Sequence, residues 1–237
     1  AWQIAGGARV ARDSGNDEAV VTMTSAPKQE FRLTAVAVGM TGASGAQYGL
    51  RLIGSLVAAD REVLVMLTKT AQVVLGSETD CKVPGRTAEA TRFLTQYTHA
   101  RDGQLRVLGE EEWTSPVASG SGSPLTMVVC PCSMATLSAI AYGASENLLE
   151  RAADVVLKES GKLIIVPRET PFSAIHLENM LKLARMGCVI LPANPGFYNR
   201  PTRVEELVDF IVARVLDQIG IANELMPRWG LAPPLER

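Results

Sequence analysis

The stretch "RLTAVAVGMTGASGAQYGL", residues 32–50, decides how the rest of the chain is read. Its first half, Arg32 to Met40, alternates and then saturates with small apolar and β-branched residues, the pattern of a buried strand. From Ala46 to Ala59 the spacing changes: Tyr48, Leu52, Leu56 and Ala59 recur at helical intervals. Between them lies a turn of small residues. Gly42 and Gly45 let the backbone turn tightly and a ligand approach without a Cβ in the way, while the free N–H groups of the coming helix attract an anion. A phosphate is the natural guest. No Lys-Ser or Lys-Thr follows the last glycine and the GxGxxG spacing is missed, so a nucleoside triphosphate or a dinucleotide is disfavoured.

Working outward, apolar strands and amphipathic helices keep alternating. Strands are expected at Glu62 to Thr68, in "LRVLG" from Leu105, in "LTMVVCPCS" ending at Ser133, in "KLIIVPRE" from Lys162 and in "CVILPAN" from Cys188. Helices are expected between them: after Thr68, around Thr87 to Thr98, in "MATLSAIAYGAS", in "NLLERAADVVLKES" and in "SAIHLENMLKLARMG". A last helix carries Val204, Leu207, Val208, Ile211, Val212, Val215, Leu216 and Ile219 on one stripe, with Thr202 and Glu205 as its capping box. The pattern implies an α/β domain with a mostly parallel sheet covered on both faces. Ligands of such sheets bind beyond the carboxyl ends of the strands. That rule selects Gly42, Ala43 and Ser44, then Thr68, Ser133, Arg168 with Glu169, and Asn194 to Arg200. A plain helix N-cap is the competing role for Ser133.

Composition narrows the class. The 237 residues carry 23 Lys and Arg against 25 Asp and Glu, a formal charge of -2, which lacks the basic footprint of a nucleic-acid binder. One domain is expected, over residues 31–237. Residues 1–30 mix Gly, Ala and charge without period and read as an arm, disordered or added to the natural chain, whose start could be Met23. Cys81, Cys130, Cys132 and Cys188 form no CxxC pair, and His99 and His176 lie far from them in sequence, so no metal site is expected. With neither a secretory signal nor an apolar run long enough to span a bilayer, the expected location is the cytoplasm, away from membranes.

Taken together, "MTGASGAQYGLRL", "ETD", "CPCS", "ERAADVVLKE", "VPRETPFSAIHLENMLKLA", "PGFY" and "VEELVDFIVARVLDQIGI" closely resemble the UbiX-type flavin prenyltransferases, from about Leu33 to Gly230. The resemblance implies a flavodoxin-like or Rossmann-like subunit that binds FMN and assembles into a homododecamer with active sites between subunits. It implies a metal-free reaction. A dimethylallyl group from dimethylallyl monophosphate joins a ring nitrogen of reduced FMN and then closes onto the adjacent aromatic carbon. The product, prenylated FMN, serves UbiD-type decarboxylases.

Residue by residue, FMN is expected over Gly42, Ala43 and Ser44, with Thr68, Ser133 and Thr136 donating hydrogen bonds and Arg151 touching the flavin. Lys158, Arg168, Tyr198 and Arg214 match the family's phosphate-binding positions, and ionising an allylic phosphate without a metal needs such cations. Trp113 and Trp229 match positions where an aromatic face can stabilise an allylic cation and exclude water. Glu78 and Glu169 match the proton-handling carboxylates, with Ser44 bridging Glu78 to the flavin; which is acid and which is base stays open. Taken singly, each has a blander role. Arg151, Lys158 and Arg214 could be solvated helix charges, Trp113 and Trp229 packing residues, Glu169 the ion-pair partner of Arg168, and Glu78 a helix-end charge. Three rival functions remain: a flavin-dependent cysteine decarboxylase, a noncatalytic FMN carrier, and an aromatic-acid decarboxylase acting alone.

Overall fold

A computed structural model describes residues 26–230. Six strands of the described residues form one sheet: β1 Val36–Met40, β2 Val63–Leu67, β3 Leu105–Leu108, β4 Thr126–Cys132, β5 Lys162–Pro167 and β6 Val189–Ile190. Every pairing is parallel, and the order is β3-β2-β1-β4-β5-β6. The order reverses between β1 and β4, which makes the gap beyond their carboxyl ends the topological switch point of a Rossmann-type sheet.

Among the described residues eight α-helices cover the sheet: α1 Ala26–Thr34, α2 Ala46–Ala58, α3 Lys69–Glu78, α4 Thr87–Thr98, α5 Met134–Ala141, α6 Leu148–Lys158, α7 Ala174–Arg185 and α8 Val204–Gln218. Successive strand residues feed two different cores because side chains alternate across the pleat. Val36, Val38, Val65, Val128 and Ile164 pack with Leu52, Leu56, Ile211 and Val215 on the side of α2 and α8. Ala37, Met66, Met127, Val129 and Ile165 pack with Leu137, Leu148, Leu149 and Leu183 on the side of α5, α6 and α7. Burial on both faces explains why the strands read as unbroken apolar runs. At Gly49 an added Cβ would stand 2.6 Å from the Cys130 carbonyl oxygen, so only glycine lets α2 lie this close to β4.

Several boundaries differ from the sequence expectation. The strand begins at Val36, because Arg32–Thr34 belong to α1, which also takes residues 26–30 of the expected arm. Arg32 pins that helix: its carbonyl accepts from the Leu125 N–H at 2.8 Å and its Nε donates to the Ser123 carbonyl at 3.2 Å. Residues 1–25 of the arm lie outside the described residues. β6 is short, although Leu191 and Ala193 beyond it still donate to the Ile165 and Pro167 carbonyls; Pro192 between them faces the open edge of the sheet, where a missing N–H costs no ladder bond. The capping box expected from Thr202 and Glu205 does not form. Arg203 is the N-cap of α8, and Glu206 reaches back to the Thr202 N–H at 2.7 Å.

Candidate active site

The loop after β1 holds an anion, and that anion is the protein's own. Gly45 takes the left-handed conformation, φ 103°, at the N-cap of α2, so that its N–H and that of Ala46 converge. Both donate to Glu78 Oε2, at 2.8 and 3.0 Å, and Gln47 Nε2 donates to the Glu78 carbonyl at 3.1 Å. The α2 N-terminus, read from sequence as the phosphate seat, is therefore taken by a carboxylate from the end of α3. Burial pushes the Glu78 carboxyl upward, but the Ser44 hydroxyl, the two N–H groups and the Arg168 guanidinium outweigh it and hold the group below the ordinary glutamate range. Arg168 reaches across from the end of β5 and donates from Nε to the Ser44 carbonyl at 3.1 Å. Ser44, Glu78 and Arg168 thus form one connected group.

On the other side of the switch point, Ser133 caps α5. Its Oγ accepts from the Thr136 N–H at 3.3 Å and donates to Thr136 Oγ1 at 3.1 Å. Thr68 likewise caps α3, accepting from the Ala71 N–H at 3.1 Å, and it shares a 3.0 Å hydrogen bond with Thr70. Each hydroxyl keeps further hydrogen-bonding capacity for a ligand. One residue that the sequence reading passed over joins the two loops. Thr41, only 2% exposed, donates from Oγ1 to the Pro131 carbonyl at 2.9 Å and accepts the Ser133 N–H at 2.7 Å. Its signal was available: it is the polar residue directly after a buried strand, as Thr68 and Ser133 are.

The expected cations scatter within one protomer. Arg151 donates to the Ala118 carbonyl at 3.1 Å and pairs with Asp154 at 2.8 Å. Lys158 ends α6 and pairs with Glu159 at 2.7 Å. It stands at the amino end of β5, whereas Arg168 and Glu169 follow the carboxyl end, roughly 20 Å away at the rise of a six-residue strand. Glu169 is not paired with Arg168 among the described residues; it accepts from the Thr170 N–H at 3.1 Å. Arg214 is on α8, and Tyr198, with Trp229 behind it, packs on Phe210 of the same helix. The Tyr198 ring is edge-on to Trp229 at 4.9 Å and to Phe210 at 5.7 Å, and Arg214 pairs with Asp217 at 2.8 Å. Trp113 is half-exposed on the loop after β3, and Trp229 is 77% exposed. An open pocket of about 940 Å³ lies on the other side of Glu78, between α2, α4 and α8, with Gln47, Tyr97 and Asp209 in its wall; Gly42, Ala43, Ser44, Thr68 and Ser133 do not line it.

Other chemistries find less support. All four thiols are buried; burial pushes Cys130 and Cys132 far above the ordinary range and Cys188 up to about 12, so none is a thiolate at neutral pH. His176 is spent on the capping box of α7. Among the described residues no cluster of three or more His, Cys, Asp or Glu could hold a metal, and no helix is long and apolar enough to cross a membrane.

Residues 24–216 match the family model for Flavoprotein. The flavin prenyltransferase UbiX of Pseudomonas aeruginosa is 57% identical over 195 residues, covering 82% of this chain and 93% of that protein. The chain belongs to the UbiX flavin prenyltransferase family. Members of known structure superpose on it. AnUbiX (PadA1) in complex with FMN and dimethylallyl pyrophosphate is 36% identical, with a TM-score of 0.73 over 83% of this chain and 97% of that one. The dodecameric FMN-dependent UbiX-like decarboxylase of Escherichia coli O157:H7 is 40% identical, with a TM-score of 0.73 over 82% and 98%. The parallel Rossmann-type sheet is thus a property this chain shares with the UbiX family.

Proposed function

We propose that the chain binds FMN at the switch point between β1 and β4 and transfers a dimethylallyl group to it from dimethylallyl monophosphate. The crevice fits that guest. Its floor, Gly42, Ala43 and Ser44, carries no bulky side chain, and hydroxyls at two helix N-termini, Thr68 and Ser133, with Thr136 beside the second, suit a phosphate and a polyhydroxyl chain. The observation that carries the proposal is the connected group of Ser44, Glu78 and Arg168 at one wall of this crevice. When bound and reduced, the flavin supplies the nucleophilic ring atoms.

The protein's own groups do the rest. Lys158, Arg168, Tyr198 and Arg214 hold the prenyl phosphate and take up the charge that grows on it as its C–O bond ionises. Trp113 and Trp229 shield the allylic fragment from water and face it with π density. Glu78 is held in its ionised form by two backbone N–H groups, so at neutral pH it orients the Ser44 hydroxyl and is a poor acid. Glu169, which among the described residues accepts only its neighbour's N–H, is the carboxylate left to move a proton.

Lys158 lies at the opposite end of β5 from Arg168, and Arg214 stands one turn from Gln218, whose carbonyl accepts from Lys162 at that same amino end, so the cations converge only if other copies of the chain supply some of them. A homododecamer with sites between subunits meets this requirement. The product is prenylated FMN, passed to a UbiD-type decarboxylase in the cytoplasm. Anaerobic incubation with reduced FMN and dimethylallyl monophosphate should yield a flavin extract that activates an apo-decarboxylase of that type. An extract no better than FMN alone would contradict the proposal.

A further inference from the structure

Phe210, Arg214 and Asp217 stand at i, i+4 and i+7 on α8 and share one face. Asp217 is the less exposed of the two charges there, 19% against 45% for Arg214. Its Oδ2 accepts from Arg214 at 2.8 Å and from Arg228 at 2.6 Å, and its Oδ1 accepts from Asn223 Nδ2 at 3.2 Å. The other arm of Arg228 donates to the Asn223 carbonyl at 3.3 Å. Residues 223–228 are thereby strapped to the helix through one carboxylate. The next residue is Trp229, whose ring meets Tyr198, which in turn meets Phe210. The circuit returns to α8 one turn before Arg214.

We infer that Asp217 is a positioning residue for the prenyl phosphate: it fixes the Arg214 guanidinium and, through Arg228, holds Trp229 against Tyr198. This rests on the prenyl-transfer reading of the site. Two guanidiniums repel each other, and a shared carboxylate brings them together while leaving the trio with net positive charge. Each planar fork keeps N–H donors for an anion. The aromatic wall at Phe210 lies about one helical turn, ~5 Å, from the cation at Arg214, on the scale of a five-carbon chain ending in a phosphate. A cation already immobilised loses less freedom when the anion arrives.

The test compares wild type with Asp217→Asn, Asp217→Glu, Arg228→Gln and the Asp217→Asn/Arg228→Gln double variant. Two readouts are taken: the KM for dimethylallyl monophosphate, and calorimetric binding of that phosphate to the protein carrying oxidised FMN. Asp217→Asn should weaken both about tenfold with FMN affinity and assembly mass unchanged, and Asp217→Glu should recover most of the loss. Because Arg228 acts through Asp217, the double variant should be no worse than Asp217→Asn alone. Losses that multiply, or an Asp217→Asn variant within twofold of wild type, would overturn the inference. If Asp217→Asn does not assemble, Asp217→Glu and Arg228→Gln carry the test: Arg228→Gln weaker and Asp217→Glu near wild type supports it, and the reverse overturns it. Wild-type protein that leaves the flavin unmodified would instead overturn the prenyl-transfer reading.

Discussion

Replacing Thr41 by Val removes one hydroxyl and keeps the shape of the side chain, so its effect can be worked out bond by bond. The Pro131 carbonyl loses the 2.9 Å bond from Thr41 Oγ1 but keeps the Thr41 N–H at 3.2 Å. The Ser133 N–H loses its 2.7 Å acceptor. Leaving a buried donor unsatisfied costs ~1–3 kcal/mol, and the lost neutral hydrogen bond adds ~1. The total, about 2–4 kcal/mol, should appear as a lower urea midpoint for the apo-protein at fixed protomer concentration, since assembly contributes to stability. Thr41→Ser keeps both hydrogen bonds and gives up one methyl, about 1 kcal/mol. Because Thr41 ties the two loops that flank the crevice, Thr41→Val should also weaken FMN binding about tenfold, while Thr41→Ser stays near wild type. A Thr41→Val variant within 0.5 kcal/mol of wild type, or a serine variant as damaged as the valine one, would refute the reasoning, because the unsatisfied donor is costed at no less than ~1 kcal/mol.

Glu78 gives a pH test. Its folded pKa is depressed, so the stability it contributes is present above its unfolded value and is lost as pH falls through the lower folded value. Glu78→Gln should therefore lower the urea midpoint at pH 7 and flatten its decline between about pH 5 and 3; parallel curves would deny Glu78 that role. Gly49→Ala forces a Cβ to 2.6 Å from a backbone oxygen, so thermal unfolding should report a loss of ~1–3 kcal/mol; an unchanged transition would show that α2 can retreat. Lys158→Ala and Glu169→Gln chains should each be nearly inactive alone yet recover part of the activity when refolded together, since mixed assemblies contain some sites with both residues. No recovery would count against sites shared between subunits.

How much of this was legible in the chain itself depends on range. The β1 strand, the turn and α2 follow from local pattern, and the strand-exit rule picks out Ser44, Thr68, Ser133, Arg168 and Glu169 beyond the buried strands, where Thr68 and Ser133 also serve as helix N-caps. Local pattern failed where three residues fit two periods, as at Arg32 to Thr34, and where the cap depended on which of two adjacent glutamates turned back. It could not show that the anion on α2 is Glu78, since that contact joins Gly45 to a residue 33 positions away. Nor could it find the Asp217 to Arg228 pair, which exists only because the chain after α8 folds back on that helix. The distance of Lys158 from Arg168, at opposite ends of β5, is likewise a fact of topology, invisible to spacing.

The most direct test of the account is the mass of the flavin. Purified protein is incubated anaerobically with dithionite-reduced FMN and dimethylallyl monophosphate, and the extracted flavin is weighed by mass spectrometry. The account predicts a flavin heavier by one five-carbon prenyl unit, formed only when protein, reduced FMN and the prenyl phosphate are all present. Unchanged FMN from protein shown to bind both ligands would contradict it.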